Sequence, residues 1–320
     1  MKQFPPFYFK TGVLFFLIAG FCSCEQDSSQ KKMPGIAAND CWTGAGKFQI
    51  PVDKKGEEIL YGRELIENTA SYLGPKGKVK HISNGMNCQN CHLEAGTKPW
   101  GNNFGAVAAT YPKFRERSGN IESIEKRVND CFERSLNGQA LDSGCREMKA
   151  IVAYIKWLGN EVPKGIKPKG SGIMELAFLN RPADPEKGWK LYQTNCMKCH
   201  GTNGEGQVNK DGATYLYPPL WGPHSYNQGA GLFRLSRLAG FIKNNMPNPV
   251  NYHNSMLTDE EAWDLAACIN ARPRPGFDLQ KDWPVISTKP YDYPFGPYAD
   301  NFSEKMHKFG PFQQIKNSRK

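Results

Sequence analysis

Cys88-Gln89-Asn90-Cys91-His92 recurs, about a domain's length further along the chain, as Cys196-Met197-Lys198-Cys199-His200. Two thiols two residues apart, followed at once by an imidazole, are the pattern of covalent haem attachment: each thiol forms a thioether with a porphyrin vinyl group, and the histidine ligates the iron. A redox C-x-x-C would need a βαβ context, and a zinc site would need further thiolates nearby; neither pattern accompanies these motifs. The chain is therefore expected to carry two covalently bound haem c groups. They are attached at Cys88, Cys91 and His92, and at Cys196, Cys199 and His200.

The rest of the sequence arranges itself around these motifs. A chain of 320 residues allows two domains of ordinary size. Residues 1–23 begin with Lys2, continue through an apolar run from Val13 to Phe21 and end in small and polar residues, which reads as a signal peptide too short to span a bilayer. Cys24 after Ser23 fits a lipidation site, so acyl chains there would tether the protein to the periplasmic side of a bacterial membrane. Residues 24–40 read as a tether, 41–163 as a first haem domain, and 164–172, rich in Gly, Pro and Lys, as a linker. Residues 173–285 then form a second haem domain, and 286–320 a Pro- and aromatic-rich tail packed over the domains. The formal net charge of +10 suits an anionic substrate or partner, and export excludes nucleic acid.

The fold class expected is mainly α, with two cytochrome c-like haem domains in tandem and an irregular tail. Apolar periodicity predicts a helix from Gly62 to Leu73. It predicts a second, opened by Asn120 and closed at Asn137-Gly138, with Ile121, Ile124, Val128, Cys131 and Phe132 on one face. A third carries Met148, Ile151, Val152, Ile155 and Leu158 and is closed by Gly159. Thr258-Asp259-Glu260-Glu261 is a capping box for a last helix stopped before Pro273.

What fills the open face of each iron separates electron transfer from chemistry. For the second haem, Met246 in Asn244-Asn245-Met246-Pro247 is the leading ligand, with Met256 and His253 as rivals. For the first, Met148, His81 and Cys131 stand as candidates. Arg127 and Ser135 lie four residues before and after Cys131, on the same helical face, and an arginine beside a core-facing thiol lowers its pKa and calls for an anion. Arg127 could instead pair with Asp130. Of the remaining cysteines, Cys268 reads as core, while Cys41 and Cys145 could join in a disulfide.

From about Tyr61 to Phe312 the chain resembles the dihaem thiosulfate dehydrogenases, whose relatives include tetrathionate reductases and the haem subunit of the Sox thiosulfate-oxidising system. The resemblance rests on Tyr61-Gly62-Arg63 through Tyr72-Leu73-Gly74-Pro75, NGMNCQNCHLEAGT, RVNDCFERSLNG, FIKNNMPN, DEEAWDLAACINARPRP, and the tail stretches KPYDYPFGPYADNF and HKFGPF. It implies His92 and Cys131 as axial ligands of a catalytic haem 1, and His200 and Met246 as ligands of a relay haem 2. It implies substrate contacts at Arg127, Ser135 and Arg146, interconversion of thiosulfate and tetrathionate, and an external electron partner, another c-type cytochrome. Asn245 stands where some members of the family carry an alternative lysine ligand. Two other functions fit a dihaem chain: an electron carrier without a substrate of its own, and a Sox-type subunit acting on a carrier protein.

Overall fold

Asp53 opens the first helix, its carboxylate accepting from the Gly56 amide at 2.9 Å, and α1 runs Lys54–Glu67. The computed structural model describes residues 41–45 and 50–319, so the expected signal peptide, Cys24 and the tether over 24–40 lie outside the described residues. The helix expected over Gly62 to Leu73 thus starts earlier, and it is broken at Asn68 before α2, Thr69–Leu73. The break aims Thr69 at the first haem motif. Its hydroxyl donates to the Leu65 carbonyl at 2.7 Å and accepts from the Cys88 amide at 2.9 Å.

A short antiparallel ribbon follows the motif, β1 (Lys113–Arg115) with β2 (Asn120–Glu122), in which Phe114 faces Ile121 across the pair. This corrects the expected second helix at its start. Ile121 belongs to the ribbon and is 73% exposed, and Ser123 rather than Asn120 caps α3, Ile124–Asp130. The Ser123 hydroxyl accepts from the Lys126 amide, a bond Ile121 and Asn120 are placed too early to make.

Helix α4, Arg146–Leu158, ends at Gly159 and buries Met148, Ile151, Val152, Ile155 and Leu158. It closes on α1 at Gly62, where a Cβ would come within 1.9 Å of the Ala150 carbonyl. The second half repeats the device. Helix α5, Pro185–Asn195, leads into the second haem motif and crosses a later helix at Gly188, where a Cβ would meet the Asp264 carbonyl at 1.9 Å. Between them lie a second ribbon, β3 (Gln207–Val208) with β4 (Tyr215–Tyr217), and α6, Leu235–Asn245. The crossing partner is α7, Asp259–Asn270, opened by the expected capping box of Thr258 and Glu261. Alanine at either glycine would drive a methyl into backbone and part the helices.

Two apolar clusters result. The first gathers Ile59, Leu65, Phe132, Met148, Ile151 and Tyr154. The second gathers Tyr192, Leu235, Trp263, Leu265 and Ile269. Each fully buried side chain of this kind contributes about 1.5–3 kcal/mol. Tyr226, Ala230 and Phe233, although late in the chain, join the first cluster and so fasten the halves together. Residues 164–172 run as backbone partners of the first half: Lys169 accepts from the Trp42 amide at 2.9 Å and Gly170 from the Trp100 amide at 2.7 Å. The tail adds α8, Glu304–Phe309, and α9, Phe312–Ser318, with Phe312 and Ile315 inside the second cluster. Among the described residues no helix is long and apolar enough to cross a membrane.

Candidate active site

Helix α3 does not continue as an α-helix. Cys131–Ser135 forms a π-helical turn, closed by the Leu136 amide on the Cys131 carbonyl at 2.9 Å. Such wider turns are rare and concentrate at functional sites. The Asp130 carboxylate is taken by Lys126 and, at 3.8 Å, by Arg134. Arg127 is therefore left to the thiol: its Nη1 donates to Cys131 Sγ at 3.3 Å.

Burial alone would raise the Cys131 pKa, but the Arg127 guanidinium and the His92 imidazole outweigh it and bring the thiol down to about 7. A cleft of about 160 Å³ brings Cys88, Cys91 and His92 together with Arg127, Cys131 and Ser135. Three of these side chains, His92, Arg127 and Cys131, set the chemistry: a thiol stabilised as thiolate, near an imidazole, beside a fixed positive charge. A thiolate held this way can ligate iron, attack sulfur, or do both in turn.

His92 Nδ1 donates to the Asn102 carbonyl at 2.5 Å, and His200 Nδ1 to the Pro218 carbonyl at 2.9 Å. Each bond fixes the tautomer that leaves Nε2 for iron. Burial also holds His200 below its ordinary pKa, which keeps its imidazole neutral, the form that binds metal. With two thiols beside each oriented imidazole, the donor sets fit a covalently held haem at both motifs. Met246, expected as the second haem's other ligand, follows α6 and packs against the second cluster, as does Cys196. Its rivals face solvent: Met256 is 68% exposed, and the exposed His253 ring lies tilted against Tyr252 at 3.9 Å. In the first half, Met148 is sealed in the core away from the cleft lining, and exposed His81 bonds the Gly77 carbonyl at 3.1 Å.

Two groups of residues lie outside this arrangement. Arg146 does not reach the cleft; its guanidinium lies 4.5 Å from the Tyr61 ring, because it opens α4 on the side facing α1. Cys41 and Cys145 are separate free thiols: Cys41 lies against Gly170, while Cys145 Sγ caps α4 by accepting from the Met148 amide at 3.4 Å. Sequence reading also missed Asn102, Phe104 and Tyr111. Phe104 lies 4.6 Å from the His92 ring, and Tyr111 lines the cleft beside Arg127. The pair Asn102-Asn103 after Gly101 was a turn signal, since asparagine tolerates left-handed backbone, but nothing local showed that the carbonyl would serve His92.

Residues 78–163 match the family described as SoxA/TsdA, cytochrome c domain, and residues 185–271 the cytochrome c family. The chain is 39% identical over 240 residues to the thiosulfate dehydrogenase of Psychrobacter arcticus, covering 73% of this chain and 69% of that protein. It is 40% identical over 232 residues to the thiosulfate dehydrogenase of Allochromatium vinosum, covering 71% and 82%. Among solved structures, the thiosulfate dehydrogenase TsdBA of Marichromatium purpuratum in its as-isolated form matches with a TM-score of 0.68 and 32% identity, over 74% of this chain and 50% of that one. The chain thus spans half the length of that solved protein. Two cytochrome c domains stand in tandem here, each with a covalently bound haem c.

Proposed function

We propose, because this chain belongs to the thiosulfate dehydrogenase family, that it interconverts thiosulfate and tetrathionate at the first haem site and exchanges electrons with an outside partner through the second. The observation that carries this reading is the Arg127 Nη1 to Cys131 Sγ contact at 3.3 Å, facing His92 across one cleft. When bound, the haems supply one-electron acceptors for the two electrons of the reaction.

Arg127 holds a sulfonate end and offsets the repulsion between two dianions, and Ser135 offers a hydroxyl to the same end. The Cys131 thiolate joins the outer sulfur of one thiosulfate; a sulfur–sulfur bond forms and two electrons leave. The outer sulfur of a second thiosulfate then attacks that adduct at the sulfur it gained, releasing tetrathionate and restoring the thiolate. No proton is gained or lost in the sum. His92 and Cys131 would hold the first iron, and His200 and Met246 the second.

We place the protein on the periplasmic face, tethered through Cys24 and trading electrons with another c-type cytochrome; the N-terminal leader pattern supports this. Palmitate labelling that survives Cys24→Ala overturns the tether. For the activity, the holoprotein is assayed for ferricyanide reduction with thiosulfate and for viologen oxidation with tetrathionate. Turnover in either direction is expected, and none in both leaves an electron carrier.

A further inference from the structure

The loop behind the first haem touches the segment that carries the second haem's methionine. Trp100 and Asn102 both sit in left-handed backbone, with φ of 59° and 57°. Residues other than glycine stay there only where their surroundings hold them. The linker supplies part of that hold, through the Trp100 amide on Gly170 at 2.7 Å and the Asn102 amide on Gly172 at 2.9 Å.

The second half supplies the rest. Asn245 Nδ2 donates to the Trp100 carbonyl at 3.2 Å, and Lys98 Nζ donates to the Val250 carbonyl at 3.0 Å. Asn245 is fully buried, and its amide also reaches the Phe241 carbonyl at 3.0 Å, so its side chain is fixed from both sides. Its Oδ1 is buried with no hydrogen-bond partner among the described residues. A buried amide left half-satisfied is a cost the fold accepts here.

The position has chemical consequences because Asn245 is bonded to Met246, and the loop it grips ends in the Asn102 carbonyl that accepts from His92 at 2.5 Å. That bond governs how much electron density the imidazole gives a bound iron. A shift of the Met246 segment is therefore transmitted to His92 through one amide and three residues of strained loop.

We propose that Asn245 is a positioning residue that couples the two haems, so that the oxidation state of the second changes the midpoint potential of the first. Linkage makes the effect mutual. The proposal rests on the reading of Met246 as the second haem's ligand.

The test is a spectroelectrochemical titration of the dihaem holoprotein, comparing Asn245→Leu and Lys98→Met with the parent. In the parent, the midpoint of haem 1 depends on whether haem 2 is reduced. In Asn245→Leu that dependence disappears and the haem 1 midpoint rises, because the loosened loop weakens the His92 bond. The expected rise is ~30 mV, about threefold in the equilibrium constant at 59 mV per tenfold. Lys98→Met, which cuts only the parallel contact, gives a smaller rise of the same sign and serves alone if Asn245→Leu does not fold. A haem 1 midpoint unmoved in every variant that folds overturns the coupling, whatever haem 2 does. Failure of the ligand reading shows differently, as the absence of a methionine-to-iron charge-transfer band in the oxidised parent.

Discussion

Behind each haem motif the chain makes the same arrangement, and in front of each it makes a different one. His92 and His200 both donate Nδ1 to a backbone carbonyl, and both motifs follow a helix seated by a glycine on a later helix. The residues proposed for the other side differ. One site presents a thiol under a guanidinium at the wall of a cleft; the other presents a thioether packed in an apolar cluster. The first carries a fixed positive charge inside a largely apolar cleft, which suits an anion, whereas Met246 packs among apolar side chains. The lesson is that the repeated half of a site secures the cofactor, and the half that is not repeated decides what the cofactor is for.

The comparison can be broken most directly at Cys131. Cys131→Ala is expected to retain both haems in a pyridine-haemochrome spectrum and to lose more than about 10³-fold in kcat, as removal of a nucleophile does; near-normal turnover would sink the mechanism. Arg127→Gln should lower kcat/KM for thiosulfate by about 10²–10³, since it removes a charge aimed at the reacting anions. A loss confined to KM would instead mark Arg127 as a plain binding residue. A different failure is expected where the π-helical turn is braced. Asp282 accepts from Arg134 at 2.7 and 2.9 Å and lies 3.5 Å from Arg117, with little exposure on any partner. Asp282→Asn leaves buried cations short of their counter-charge and should cost roughly 3 kcal/mol. Thermal unfolding would show it, with a parent-like midpoint as the contrary result. The smallest effect sharpens the contrast from the other side: Thr258→Ala removes the cap of α7 and should cost ~1 kcal/mol, with thiosulfate turnover unchanged. Lost turnover there would mean that the two regions are less separate in function than the residues proposed for them suggest.

Much of this was legible in the residues. The capping box at Thr258 and the stop at Gly159 act through neighbours in sequence, so α7 and the end of α4 could be read directly. Arg127, Cys131 and Ser135 share a helical face, so their meeting was also readable, and the cleft lining contains all three. The start of α3 was misread because a three-residue ribbon is too short to show alternation, and Ile121 fits the apolar face of a helix as well as a strand. Arg146 was misplaced because its neighbour across space, Tyr61, lies far off in sequence. The π-helical turn has no compositional signature. The Asn102 carbonyl is backbone, and backbone carries no residue type to recognise.

Gly170 and Gly172 fasten the loop that holds His92, and Asn245 grips it from the other side. A polypeptide emerges from its N-terminus onward, so the motif at Cys88 is complete long before these three residues exist. The proximal wall of the first haem is consequently finished only after most of the second domain has been made. Synthesis order and completion order are reversed, and a fragment ending at residue 163 would carry the whole attachment motif and Asn102 yet lack the braces of the loop that presents the Asn102 carbonyl to His92.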